Sequence, residues 1–149
     1  MLVFDTNVLV YAVDEDSPFH DGCRDLVSRA RGSRAQSFVT WSICYEFLGV
    51  TTHAKAPISP WSLPSAVAYL EALLSSPGFQ VLTATPSHAA VLAQTASEHP
   101  NARGNLAHDL HTAVIMREHS VSRICTRDTD FRRFPFLNVV DPLSASLGG

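Results

Sequence analysis

"VFDTN", residues 3–7, decides how the rest of the chain is read. Leu2, Val3 and Phe4 form an apolar run with no polar alternation. Such a run reads as a short strand covered on both faces, the signature of a parallel sheet. It ends abruptly in Asp5, Thr6 and Asn7. A carboxylate at the end of a buried strand is costly unless something compensates its charge. "TNVLVYAV" (6–13) then reads as a helix, with Thr6 or Asn7 as its cap.

The same alternation continues outward. "FHDGCRDLVSRARG" (19–32) has helical apolar spacing and a stop at Gly32. "SFVT" (37–40) reads as a second strand, and Thr40 caps a helix over 41–53. "APISPW" (56–61) is a Pro-rich turn. Residues 62–76 form an amphipathic helix with Leu63, Ala66, Val67, Leu70, Leu73 and Leu74 on one face. "FQVLTA" (79–84) is a third strand, and Thr85 and Pro86 open a helix running to about His99. Residues 99–105 read as a polar loop and 106–120 as a helix. "SRICTR" (122–127) is a fourth strand, "DTDFRRF" (128–134) a turn or short helix, and "FLNVVD" (136–141) a fifth strand. The expected fold class is α/β: one domain over 1–149, a parallel sheet of Rossmann type with five strands, and an appended helical hairpin near 62–76.

Composition narrows the function classes. Hydrophobic residues make up 46 % and charged residues 17 % of 149, a globular balance. The net charge of −3 gives no global attraction to nucleic acid. The basic residues are Arg apart from Lys55, a bias that suits phosphate forks and equally a GC-rich genome. Cys23, Cys44 and Cys125 lie apart in apolar sequence, without metal-ligand spacing. Buried free thiols and a reducing, cytoplasmic compartment are expected. The N-terminus lacks the basic stretch of a secretory leader, and no apolar run approaches the length of a membrane span.

The acids fall at informative places. Asp5 follows the first strand and Asp128 the fourth, where sites form in open α/β sheets. Glu46 and Asp109 sit within helices among apolar neighbours. Four converging carboxylates repel, and a hard divalent cation with oxygen ligands resolves the repulsion. Taken singly, each acid also fits an ordinary role: a helix cap for Asp5, a solvated face for Glu46, a favourable dipole position for Asp109, and turn residues for Asp128 and Asp130.

"VFDTNVLVYA", Glu46, "HDLHTAVIMREHSV" and "RICTRDTDFRRFPFLNVVDP" together resemble the PIN-domain ribonucleases, and more closely the VapC toxins of type II VapBC toxin–antitoxin pairs. The resemblance implies an α/β/α sandwich and an endoribonuclease that uses Mg²⁺, with Mn²⁺ as a substitute. It puts Asp5, Glu46, Asp109 and Asp128 in the places of the metal-site acids, with Asp5 and Asp109 the firmest ligands and Asp130 a fifth acid. Thr6, Asn7 and Thr126 become the groups that orient these carboxylates. It also implies a homodimer, an RNA substrate and a cognate VapB-type antitoxin that blocks the pocket. Helices 41–53 and 62–76 offer docking surfaces for it, or simply cover the sheet.

Several side chains near the acids remain open between roles. His108 and His111 flank Asp109 as general acids or as plain rim residues. Arg103, Arg127, Arg132 and Arg133 are placed to grip phosphates or to face solvent. Trp41 and Trp61 offer stacking faces or packing groups. A haloacid-dehalogenase-like phosphatase is disfavoured, because it wants a second Asp where Asn7 stands. A receiver domain wants a late Lys, and Lys55 is the only one. A PIN scaffold without catalysis, or a solitary PIN nuclease, is the remaining alternative.

Overall fold

The computed structural model describes residues 1–55 and 59–147. Part of the turn expected at 56–61 lies outside the described residues. Five strands alternate with helices: β1 (Leu2–Phe4), β2 (Ser37–Thr40), β3 (Phe79–Leu82), β4 (Arg123–Cys125) and β5 (Asn138–Val140). The helices are α1 (Thr6–Val13), α2 (His20–Arg31), α3 (Trp41–Thr52), α4 (Leu63–Leu74), α5 (His88–Glu98) and α6 (Leu106–Glu118), with a 3-10 turn over Asp130–Arg133. The sheet is wholly parallel, in the order β3-β2-β1-β4-β5, with helices on both sides. The α/β reading therefore holds.

Chain direction across the sheet reverses at β1. From there the chain builds outward through β2 and β3, then returns to the other side of β1 with β4. The β1–β4 seam is thus the switch in strand order, where a crevice opens beyond the strand ends. Val3 and Phe4 are fully buried at the centre of the core, and Phe4 meets Phe79 at 5.1 Å between ring centroids.

Three strands are shorter than expected, for one reason. A strand ends where its partner ends. β3 stops at Leu82 because Thr40, its partner, is the last residue of β2. β4 stops at Cys125, opposite Phe4, and β5 at Val140, opposite Cys125. Thr83, Ala84, Thr126 and Arg127 are left outside the sheet, and for Thr126 this proves consequential.

Helix starts are also corrected. α1 is capped by Asp5, not by Thr6 or Asn7: Asp5 Oδ1 accepts the Thr6 N–H at 2.8 Å. The extended backbone of Asp5 continues the strand, which leaves its carboxylate free to turn back on the helix. α5 starts at His88, not at Pro86. Thr85 is drawn instead to Glu118, whose Oε1 accepts both its N–H at 2.9 Å and its hydroxyl at 2.6 Å. Thr40 caps α3 as expected, accepting the Ile43 N–H at 3.2 Å. The expected hairpin is α3 returning through α4, held by Phe47 stacked on Tyr69 at 5.1 Å and edge-on to Trp61 at 6.3 Å.

Candidate active site

The chain leaves the sheet at Asp5, whose N–H donates to the Cys125 carbonyl at 3.0 Å. This bond continues the β1–β4 seam one residue past the strand and brings Thr126 beside Asp5. Thr126 is buried and uses its hydroxyl fully. It donates to Asp5 Oδ2 at 2.7 Å and accepts the Asn7 amide at 2.8 Å and the Asp128 N–H at 2.9 Å. Asn7 Nδ2 also donates to Asp5 Oδ2 at 3.0 Å, and Asn7 Oδ1 accepts the Arg127 N–H at 3.3 Å. Asp128 Oδ1 in turn accepts the Asp130 N–H at 2.8 Å. One carboxylate and one hydroxyl therefore fix the loop after β4. The Thr6 hydroxyl donates to Glu46 Oε2 at 2.8 Å, which ties α3 to the start of α1.

Asp109 reaches the same place from the first turn of α6. One carboxylate oxygen each from Asp109, Asp128 and Asp130 lies within 4.8 Å of the others. Asp5 stands outside this group of three, and both its oxygens take hydrogen bonds from the protein. The accumulated charge shows in the proton affinities. Burial, with Glu46 and Asp128 adding repulsion against the hydrogen bonds of Thr126 and Thr6, pushes Asp5 up to about 6. Burial, then repulsion from Asp5, Asp128, Asp130 and Glu46, pushes Asp109 up to about 7. No Lys or Arg pairs with Asp5, Glu46, Asp109 or Asp128 among the described residues. An all-oxygen set of close carboxylates without a compensating cation of the protein's own fits a hard divalent ion.

Two clefts meet at the acids. The larger, about 470 Å³, is lined by Ser42, Ile43, Tyr45, His108, Thr112 and Phe131 beside Asp5, Glu46 and Asp109. The smaller, about 300 Å³, is lined by Thr6, Asn7, Val10, Tyr11, Val50 and Asp128 beside the same three acids. Asp5, Glu46 and Asp109 form the ridge between them.

The flanking candidates separate. His108 lines the larger cleft, whereas His111 turns away, its Nδ1 3.1 Å from Ser42 Oγ and its ring 5.8 Å from that of His88. Burial and then His88 hold His111 below the usual imidazole range, so it stays neutral at physiological pH. Arg127 is already committed, to Asp141 at 2.9 Å and to the face of Phe19 at 4.0 Å. Arg133 lies 3.7 Å from Asp130, while Arg103 and Arg132 are exposed and unpaired among the described residues. Trp61 packs on Phe47 and Tyr69, and Trp41 is exposed. Tyr45 was missed by sequence reasoning. Its signal was present: a large aromatic immediately before Glu46, four residues after Trp41, on the face of α3 away from the core.

The sheet order, the acids at its switch point and their all-oxygen chemistry make a site of the kind that suits a hard divalent cation. Comparison with known proteins gives the family. The model of the PIN domain matches residues 2–137. Ribonuclease VapC48 of Mycobacterium tuberculosis is 32 % identical over 141 residues, 95 % of this chain and 97 % of that protein. The crystal structure of VapC20 of the same organism, described as a sarcin–ricin-loop-cleaving toxin, has a TM-score of 0.65 at 14 % identity, covering 89 % of this chain and 93 % of that one. VapBC2 of Rickettsia felis, solved bound to a DNA fragment from its promoter, has a TM-score of 0.64 at 17 % identity, covering 94 % and 97 %. This chain belongs to the PIN-domain family, among the VapC ribonucleases.

Proposed function

We propose that the chain is the toxin of a type II toxin–antitoxin pair, an endoribonuclease whose acids act through Mg²⁺, with Mn²⁺ able to substitute. The observation that carries this reading is the convergence of Asp109, Asp128 and Asp130 within 4.8 Å, beside Asp5 and Glu46, at the β1–β4 switch point. Asp109, Asp128 and Asp130 would hold the cation, and Asp5 would complete the charge around it. When bound, such an ion supplies Lewis-acid stabilisation of charge on a phosphodiester and favours ionisation of water.

The protein's own groups do the rest. Glu46 keeps Oε2 on the Thr6 hydroxyl at 2.8 Å, which leaves Oε1 to accept a proton from the attacking water. The water oxygen would attack phosphorus in line as the bond to the 3′ oxygen breaks, and a proton from bulk water would complete the 3′-hydroxyl opposite the new 5′-phosphate. Thr126 and Asn7 hold Asp5 in one rotamer, so the acids need no rearrangement when substrate arrives. Of the four candidate arginines, Arg103 and Arg132 are free of ion pairs among the described residues and would meet the RNA backbone.

The partner is a small VapB-type antitoxin that covers the pocket, and the working toxin is a homodimer in the cytoplasm. Support comes from the likeness to VapC48 and from the fold shared with the toxin–antitoxin complex VapBC2. No described helix is long and apolar enough to cross a membrane.

The test is cleavage of total cellular RNA by purified protein with Mg²⁺, with EDTA, and with Asp109→Asn. Discrete fragments that vanish in both controls carry the proposal. Fragments that survive Asp109→Asn, or none at all, overturn it in favour of a PIN scaffold that binds without cutting.

A further inference from the structure

The two clefts on either side of the acids differ in kind. The smaller is the more polar, lined by Thr6, Asn7 and Asp128 along with Val10 and Val50. Its aromatic, Tyr11, is edge-on to Phe19 at 5.1 Å and so is spent on packing. The larger has a floor of Ile43 and Phe131, 2 % and 1 % exposed, and a rim at Tyr45, 71 % exposed. Tyr45 and Glu46 are consecutive on α3, about 100° apart around the helix. Glu46 therefore turns to Thr6 while Tyr45 stands over the larger cleft. His108 lines the same cleft, and its imidazole has no partner among the described residues.

We propose that the larger cleft seats the nucleobase next to the scissile phosphate, with the Tyr45 ring as its stacking platform and His108 as its polar partner. The inference rests on the ribonuclease reading and adds to it a residue that grips the substrate. The charges agree. The acids and their cation take the phosphate, while a neutral, flat, apolar group belongs against Ile43, Phe131 and Tyr45. A cleft of about 470 Å³ holds a ring of that size. Trp41, one helical turn before Tyr45 and also exposed, extends the platform toward the next base. An aromatic face accepts any base, so Tyr45 contributes affinity and His108 contributes preference.

The test measures binding and cleavage separately. Binding of 5′-fluorescein-labelled hexauridylate and hexaadenylate is followed by anisotropy, with Ca²⁺ in place of Mg²⁺, for the wild type, Tyr45→Ala, Tyr45→Phe and Tyr45→Trp. Stacking of this kind predicts a dissociation constant about 5- to 100-fold weaker for Tyr45→Ala, restored by Phe and by Trp. Light scattering on the same samples records the oligomeric state. Equal binding by all four proteins overturns the inference. So does a loss of binding that merely follows a change of oligomeric state in Tyr45→Ala, since Tyr45 would then contact a second copy. Cleavage of RNA in Mg²⁺ separates the two readings. Wild-type cleavage with no effect of Tyr45→Ala on binding sinks the base seat alone. Absent cleavage with the binding pattern intact sinks the nuclease reading alone.

Discussion

The Thr126 hydroxyl donates to Asp5 Oδ2 at 2.7 Å, across 121 positions of the chain. The Thr126 hydroxyl oxygen also accepts the Asp128 N–H at 2.9 Å, so one side chain sets both acids. Thr126→Val keeps the shape, loses the hydroxyl and leaves Asp5 Oδ2 to the Asn7 amide alone. Divalent-cation affinity should fall about 10- to 100-fold, with kcat/KM falling alongside. Thr126→Ser should restore both. Titration calorimetry with Mn²⁺ and initial rates on RNA check the pair.

Asp109 is pushed up to about 7 and Asp5 to about 6, against an ordinary 3.8. In the cation-free protein the folded state thus holds protons that the unfolded chain has already released. Stability from these groups is greatest below about pH 4 and declines as pH rises through about 7. Asp109→Asn removes a charge disfavoured first by burial and then by the neighbouring acids. In EDTA it should melt about 5 °C above the wild type at pH 7.5, from about 2 kcal/mol once half exposure is discounted. At pH 4 the two should melt together. Equal melting at both pH values would contradict the assigned repulsion.

Arg127 and Arg132 should behave oppositely. Arg127 lies on the Phe19 ring at 4.0 Å and pairs with Asp141 at 2.9 Å, which makes it a packing residue. Arg127→Ala should lower stability by about 1 kcal/mol in denaturant melts and leave the KM for RNA as it was. Arg132→Ala, at an exposed and unpaired position, should leave the melt alone and raise KM, with a smaller dependence of KM on salt.

Gly78 opens β3 where the chain crosses the end of α2. Its N–H donates to the Arg31 carbonyl at 3.1 Å, and its own carbonyl accepts the Ser37 N–H at 2.8 Å. A Cβ there would fall on the Ala30 carbonyl oxygen, which is backbone and cannot swing aside. Gly78→Ala should cost about 2 kcal/mol or more, whereas Gly49→Ala, with open space around it, should be neutral or mildly stabilising. Urea midpoints of the two variants decide it.

The run at 2–4 announced its strand because burial on both faces leaves no polar residue in the pattern, and at 37–40 the pair Phe38 and Val39 carried the signal between a buried Ser37 and Thr40. Their neighbours were harder to bound. Nothing in "FQVLTA" says that Thr83 and Ala84 lose their partners because β2 ends at Thr40, where α3 begins. The acids were found by position and type. Their grouping was not, since Asp109 comes from a helix whose rotation about its axis is set only by packing. Asn7 showed the same difficulty. The local sequence offered it as a helix cap, and only the family resemblance set it beside the carboxylates, where its amide spans Asp5 and Thr126. Tyr45 was hidden because an exposed aromatic in a list of residues looks like any other until a cleft stands beneath it.

The strand order has a consequence in time. β1 is made first but lies at the centre, and its second edge stays open until Arg123–Cys125 have been synthesised. Thr126, Asp128 and Asp130 come later still, so a chain still under synthesis carries Asp5 and Glu46 without their companions for most of its length. The acids can therefore come together only once residues 126–130 have followed β4 out of the ribosome.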